Sequence, residues 1–488
     1  MKSNGKKLGY NLLFQLINEL LTIITPFITA PYVSRCLGAV EIGRFSYARS
    51  IAYYFVVFGS LGINVYGSRQ IAAVKNDPDK LNSTFSNLFY IVCASSFLSL
   101  LVYVSGVLGG LINGNDRLIS LVMIFYVLSS TFNVRWLFQG LEMFNITVIR
   151  SIIIRAIVIL LVFTCIHTSN DTLIYALIFA GVSNFLSELT LFVMVPRYVK
   201  LKAPDWAAMR SNLRPLLVMY IPYAANLMLR HVDKVMLGSL NTLEQVGFYE
   251  NTDKIYMMLV VFNTALGDVL LPRTTNLIAK GDERSANALM NYTIRINMIL
   301  SVAFAFGISS IAKEFIPVFL GDGFAPCVLL LRWISPTIVL LAFSAMIRKT
   351  YILPHYKNRL FITTTLSALV ANMALNAILI PRYDALGAVI ATVVSELLVV
   401  LIQFFNLHRE IHYNVYIKDL MVFSIIGCVM FACVRTIALA SAPAIVILCL
   451  QIVMGALIYG VLSVLWLRLS KDKLYEMVVS RLKRKMNA

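Results

Sequence analysis

Of the 488 residues, 59% are hydrophobic and only 14% are charged, against roughly 25% charged in soluble domains. The composition excludes an ordinary soluble globular protein and marks an integral membrane one. The net charge of +18 would suit a nucleic-acid binder, but the placement of the cations along the chain gives it another origin.

Windows of about 20 apolar residues predict an all-α polytopic membrane protein of about 14 transmembrane helices. In chain order they lie near residues 8–33, 43–65, 85–108, 118–138, 147–166, 172–195, 215–239, 248–272, 293–316, 325–347, 360–381, 385–405, 418–440 and 443–467. The runs are too long for barrel strands and lack a period of two. The first is broken by Pro26 and Pro31 and has no small-residue cleavage site, so it reads as a retained helix and not a signal peptide.

With the N-terminus inside and fourteen alternating spans, 26 of the 42 Lys and Arg fall on the cytoplasmic side. Only Arg35, Arg44, Arg117, Lys313 and Arg382 fall outside. This positive-inside bias accounts for the basic balance without nucleic acid. It predicts a multi-pass protein with both termini cytoplasmic.

The sequence also repeats itself. Glu41-Ile42-Gly43-Arg44-Phe45 is echoed 204 residues later by Gln245-Val246-Gly247-Phe248-Tyr249, and each is preceded by a Leu-Gly pair, Leu37-Gly38 and Leu237-Gly238. Ser187-Glu188-Leu189 returns as Ser395-Glu396-Leu397 at an offset of 208. The offsets predict two six-helix lobes related by a parallel pseudo-two-fold repeat, the layout in which transporters place a substrate path. The N-terminal lobe is residues 1–200, the C-terminal lobe 201–410, and 411–488 is an appended helix pair with a basic cytoplasmic tail. The longest cytoplasmic linker, Pro196 to Pro215, separates the lobes.

Catalytic signals are weak. There is no phosphate-binding GxxxxGK[ST] loop, no CxxC pair among the seven cysteines, and no third ligand beside His408 and His412. No enzyme activity, metal or cofactor is expected. Asn82-Ser83-Thr84 matches a glycosylation triplet by chance, on the predicted cytoplasmic side.

Ionisable groups inside spans are the best functional pointers in a membrane protein. The first span carries a polar stripe, Asn11, Gln15, Asn18/Glu19, Thr22, Thr25 and Thr29, which either bonds to neighbouring helices or lines an aqueous cavity. Glu19 on that stripe is the coupling candidate. Asn226, Arg230 and Asp233/Lys234 form one polar face of the seventh helix, and the eighth adds Glu250, Asp253 and Lys254. Under the 204 offset Arg49 corresponds to Asp253, so the two could pair across a central space. One reading makes Arg230–Asp233 and Glu250–Lys254 self-neutralising pairs within helices. The other makes Arg49, Arg230, Lys234 and Lys254 a cationic cavity for an anionic headgroup, with Glu19, Asn226, Asp233 and Asp253 as its coupling and polar groups. Arg135, Arg150, Arg295, Arg332 and Arg435 lie near span ends and are expected to snorkel to the interface.

Asn11-Leu12-Leu13 through Thr25-Pro26-Phe27, then Pro31-Tyr32-Val33-Ser34-Arg35, Gly43-Arg44-Phe45-Ser46-Tyr47, Leu61-Gly62-Ile63 and Trp136-Leu137-Phe138-Gln139-Gly140-Leu141-Glu142 resemble the polysaccharide repeat-unit flippases of bacteria. That family shares a superfamily with multidrug extrusion transporters and lipid II flippases. The resemblance implies alternating-access transfer of an undecaprenyl-diphosphate-linked oligosaccharide from the cytoplasmic to the outer leaflet of the plasma membrane. It also implies a cationic lumen, H+ or Na+ as coupling ion, membrane lipid around the protein, and polysaccharide polymerase or assembly proteins as partners. The rivals are a drug/cation antiporter of the same fold and a membrane polymerase or ligase of lipid-linked glycans. The antiporter would present carboxylates to its substrate, and the enzyme usually needs a large outer loop.

Overall fold

A computed structural model describes residues 2–110, 116–437 and 443–471; side chains are described from Thr25 onward, those of 116, 222, 223, 226, 265, 266, 268 and 269 excepted. Glu19, Asn226 and the basic tail beyond Lys471 therefore lie outside the described side chains. Each of the fourteen predicted spans overlaps helix among the described residues, and the chain is an all-α polytopic membrane protein. Among the described residues, nine helical stretches are long and apolar enough to cross a bilayer.

The helices are α1 (Lys2–Ser60), α2 (Ile63–Val74), α3 (Pro78–Leu108), α4 (Asp116–Val122), α5 (Ile124–Ser129), α6 (Arg135–Gly140), α7 (Phe144–Cys165), α8 (Thr172–Leu177), α9 (Ser187–Phe192), α10 (Trp206–Leu240) and α11 (Leu243–Ala279). They continue as α12 (Glu283–Phe319), α13 (Pro326–Ile334), α14 (Pro336–Ile347), α15 (Asn358–Leu407), α16 (Asn414–Ile437) and α17 (Ala444–Leu469). Two of them each hold two predicted spans joined at a one-residue corner. In α1 the corner is Gly38, at φ 74 and ψ 174, a conformation open to glycine because it lacks a Cβ. In α15 it is Asp384, at φ 52 and ψ −137. The helix runs through Pro26 and Pro31 without leaving helical geometry, the only break in α1 being at Gly38.

The chain forms two compact units, Met1–Glu250 and Asn251–Ala488, which divide inside α11. This differs from the lobes drawn from the repeat at 200/201. The first unit packs around Trp136, fully buried, its ring stacked on Phe85 at 5.1 Å between centroids and its indole N–H donated to the Asn133 carbonyl. A Cβ on Gly67 would lie 2.7 Å from the Trp136 ring, so glycine there lets α2 close on α6. The second unit packs α12 against α14, α16 and α17 through Met298, Val302, Met346, Phe423 and Tyr459.

The arginines near span ends do more than snorkel. Arg135 pairs with Glu188, Arg150 donates to the Ser187 carbonyl, Arg295 pairs with Asp419, and Arg435 pairs with Glu314 at 3.1 Å. Low dielectric explains this: an unpaired charge in or beside the hydrocarbon is costly, whether it is the partly buried arginine or, for the exposed Arg135, the buried Glu188 it meets. Beyond the end of α15, Glu410 accepts from Lys357 Nζ and the Tyr351 hydroxyl, both at 2.6 Å. Those bonds, Lys357's first, hold the Glu410 carboxyl below its usual range.

Candidate functional site

Three glycines bring α1, α10 and α11 together in the first unit. A Cβ on Gly43 would lie 1.7 Å from the Leu243 carbonyl oxygen, and one on Gly247 would lie 1.9 Å from the Ala39 carbonyl oxygen. On Gly238 it would lie 2.2 Å from the Tyr47 ring. Only glycine permits so close an approach, so three of the four repeated glycines, Gly43, Gly238 and Gly247, are contact points, while Gly38 has open space around it.

One turn beyond the crossing, the side chains of α1 meet a carboxylate. Ser46 and Arg49, at helical spacing on one face, both donate to Glu250 of α11. The Ser46 hydroxyl lies 2.7 Å from Oε2, and Arg49 Nη2 lies 2.9 and 3.0 Å from the two oxygens. Lys234 Nζ of α10 is 2.7 Å from Oε2. Lys234 and Glu250 are almost entirely buried, their side chains 4% and 1% exposed. The Arg49 guanidinium also sits 5.6 Å from the Phe45 ring centroid and 5.7 Å from that of Phe179, an aromatic contact that suits its planar cation.

Around this centre lie further polar groups. Tyr249 donates its hydroxyl to Asp233 Oδ2 at 2.6 Å. His231 Nδ1 and Ser50 Oγ are 3.1 Å apart, and the imidazole packs on Tyr53 at a tilt of 32°, with centroids 4.1 Å apart. Two cations, Arg49 and Lys234, thus share one carboxylate, while Asp233, beside Lys234 in the chain, accepts from the Tyr249 phenol. Chemically the set is an anion site already filled by an anion of the protein's own chain.

Arg49, Lys234 and Asp233 of the expected site are brought together here. Arg230 is exposed on α10, with no ion-pair partner among the described residues. Asp253 and Lys254 are half-buried on α11 and belong to the second unit. Glu19 and Asn226 lie outside the described side chains. Sequence reasoning missed Glu250 as the hub, along with Ser46, Tyr249 and Tyr53. The signal was present: Ser46 and Glu250 are 204 residues apart, the offset that also relates Gly43 to Gly247.

Residues 5–278 match the family described as polysaccharide biosynthesis protein. The chain belongs to that family. This polysaccharide biosynthesis protein is 21% identical to an Escherichia coli (strain K12) protein named "Putative O-antigen transporter", over 82% of the chain and 96% of that relative. Its fold is similar to that of the lipid II flippase MurJ in an inward closed conformation, with a TM-score of 0.75 and 13% identity over 94% of this chain and 99% of the other. It is also similar to an inward-facing MATE-family multidrug resistance transporter, with a TM-score of 0.58 and 13% identity over 80% of this chain and 98% of that one. The family match ends inside α11, so it takes in the whole Arg49–Glu250–Lys234 centre.

Proposed function

We propose that the protein is a flippase that carries undecaprenyl-diphosphate-linked oligosaccharide repeat units from the cytoplasmic to the outer leaflet, by alternating access between the lobes 1–200 and 201–410. The observation that carries this reading is the buried Arg49–Glu250–Lys234 centre inside a membrane-embedded member of a polysaccharide biosynthesis family. A diphosphate presents several acceptor oxygens, and Arg49 can bind it through two parallel hydrogen bonds while Lys234 supplies a point charge. Glu250 holds both cations in place until a headgroup arrives and competes for them. Arg230 and Lys254 extend the cationic surface, Asp233, Asp253 and Asn226 tune it, and Glu19 senses the driving H+ or Na+. The polymer so supplied is extended by polymerase or assembly proteins outside this chain.

The test is a strain lacking the gene, complemented with Arg49→Gln, Lys234→Gln and the double variant. Surface polymer should be lost in the double variant at unchanged protein level, and reconstituted vesicles should no longer translocate fluorescent undecaprenyl-diphosphate oligosaccharide. Normal polymer from a strain carrying both substitutions would overturn the assignment of these two residues.

A further inference from the structure

The segment that follows α9 is a strap and not a loose linker. Its backbone N–H groups donate to side chains on one face of α3: Lys200 to Asn82 Oδ1 at 2.8 Å, Lys202 to Ser86 Oγ at 2.8 Å, and Asp205 to Asn87 Oδ1 at 2.9 Å. The asparagine of the glycosylation-like triplet thus has a structural use. Asp205 then caps α10 by accepting from the N–H groups of Ala207 and Ala208.

Two cavities adjoin along this strap. The first, about 310 Å³, is apolar, lined by Phe85, Phe192 and Val195. The second, about 610 Å³, is lined by Asn82, Arg197, Lys200 and Lys202, with Asp79 as the one acidic group in its wall. Pro196, Val199, Lys200 and Leu201 line both. Asp79 is occupied by Lys202 at 2.7 Å, whereas no carboxylate among the described residues pairs with Arg197 or the Lys200 ammonium. The strap also exposes Leu201, 54%, and Trp206, 75%, the latter a residue type that anchors at membrane–water interfaces.

An apolar pocket joined to a cationic one, on a segment that shows Leu and Trp outward, matches an amphiphile with a phosphate head and a hydrocarbon tail. We infer that the strap is a binding site for an anionic phospholipid of the surrounding leaflet, with the phosphate at Arg197 and Lys200 and the tail along the Phe85–Phe192 pocket. This site is separate from the Glu250 centre and stands or falls apart from the flippase reading.

The test uses the full-length protein in neutral detergent, titrated with phosphatidylglycerol and phosphatidylcholine of equal chain length and followed by native mass spectrometry. Phosphatidylglycerol should bind saturably and more tightly than phosphatidylcholine, and its affinity should fall as ionic strength rises. A cation near an anionic headgroup strengthens binding about fivefold, so Arg197→Gln/Lys200→Gln should bind phosphatidylglycerol about twenty-fivefold more weakly. Leu201→Ser, at an exposed position, should weaken both lipids and leave their ratio unchanged. Glu250→Gln should keep the preference. Equal binding of the two lipids, or an unchanged affinity in the double variant, would overturn the proposal. So would displacement of the lipid by inorganic phosphate at comparable concentration, which would mark a soluble-phosphate site. Should the double variant not fold, the salt dependence of the native protein decides: a flat response sinks the idea.

Discussion

Glu250 neutralises Arg49 and Lys234 at once and accepts from Ser46. Glu250→Ala should therefore cost about 3–5 kcal/mol, the usual penalty for stranding buried charge. Removing a cation as well, in Lys234→Met/Glu250→Gln, should recover most of that loss, and thermal unfolding in detergent measures both. Additive losses would show that the two side chains are not coupled. Glu250 was readable in the sequence only as an ion-pair partner of Lys254, four residues on. The contact lies across helices, where spacing within one helix carries no signal, and only the 204-residue offset links Ser46 to Glu250. Glu410 behaves differently, at the surface. Its folded pKa is depressed by Lys357 and Tyr351, so its stabilisation is complete above the ordinary carboxylate pKa of about 4.3 and fades as pH falls through the lower folded value. The unfolding midpoint of the native protein should thus fall more steeply below about pH 4 than that of Glu410→Gln, and a matched pH series of melts checks it.

At the level of elements, glycine decides where helices bend and where they touch. Gly38→Ala forces a Cβ into φ 74 and should lower stability by about 1–2 kcal/mol. Gly307→Ala, in the interior of α12 with open space where the Cβ would go, should be neutral or stabilising by up to about 1 kcal/mol. The two melts compared side by side separate backbone strain from packing. Gly43→Leu is a harsher test, since its Cβ alone would enter the van der Waals shell of Leu243 O; surface polymer should disappear, and the variant should be retained only if α1 and α11 part. The helices themselves were legible from hydropathy because twenty apolar residues leave few alternatives in lipid. The corners at Gly38 and Asp384 were less so: a single residue outside helical geometry leaves the apolar run on both sides intact, and α1 passes through Pro26 and Pro31 without a break there.

Over the whole molecule, composition and charge placement led to the membrane class, and the motifs around Gly43 and Trp136 led to the family that the match over residues 5–278 establishes. The site was half legible. Arg49 and Lys234 stood out as charges within apolar runs, but only the 204-residue offset between Ser46 and Glu250 pointed to the carboxylate they share. The glycine crossing adds one more point. Gly43 abuts Leu243, and Gly247 abuts Ala39; each of the first pair stands 204 residues from a member of the second. Such reciprocity is the contact rule of a two-fold-symmetric dimer, in which i touches j and j touches i, and here it is written into one chain. It ties the histories of the two motif copies together: a side chain gained at either glycine collides with the other copy's backbone, so neither copy can drift at this position alone.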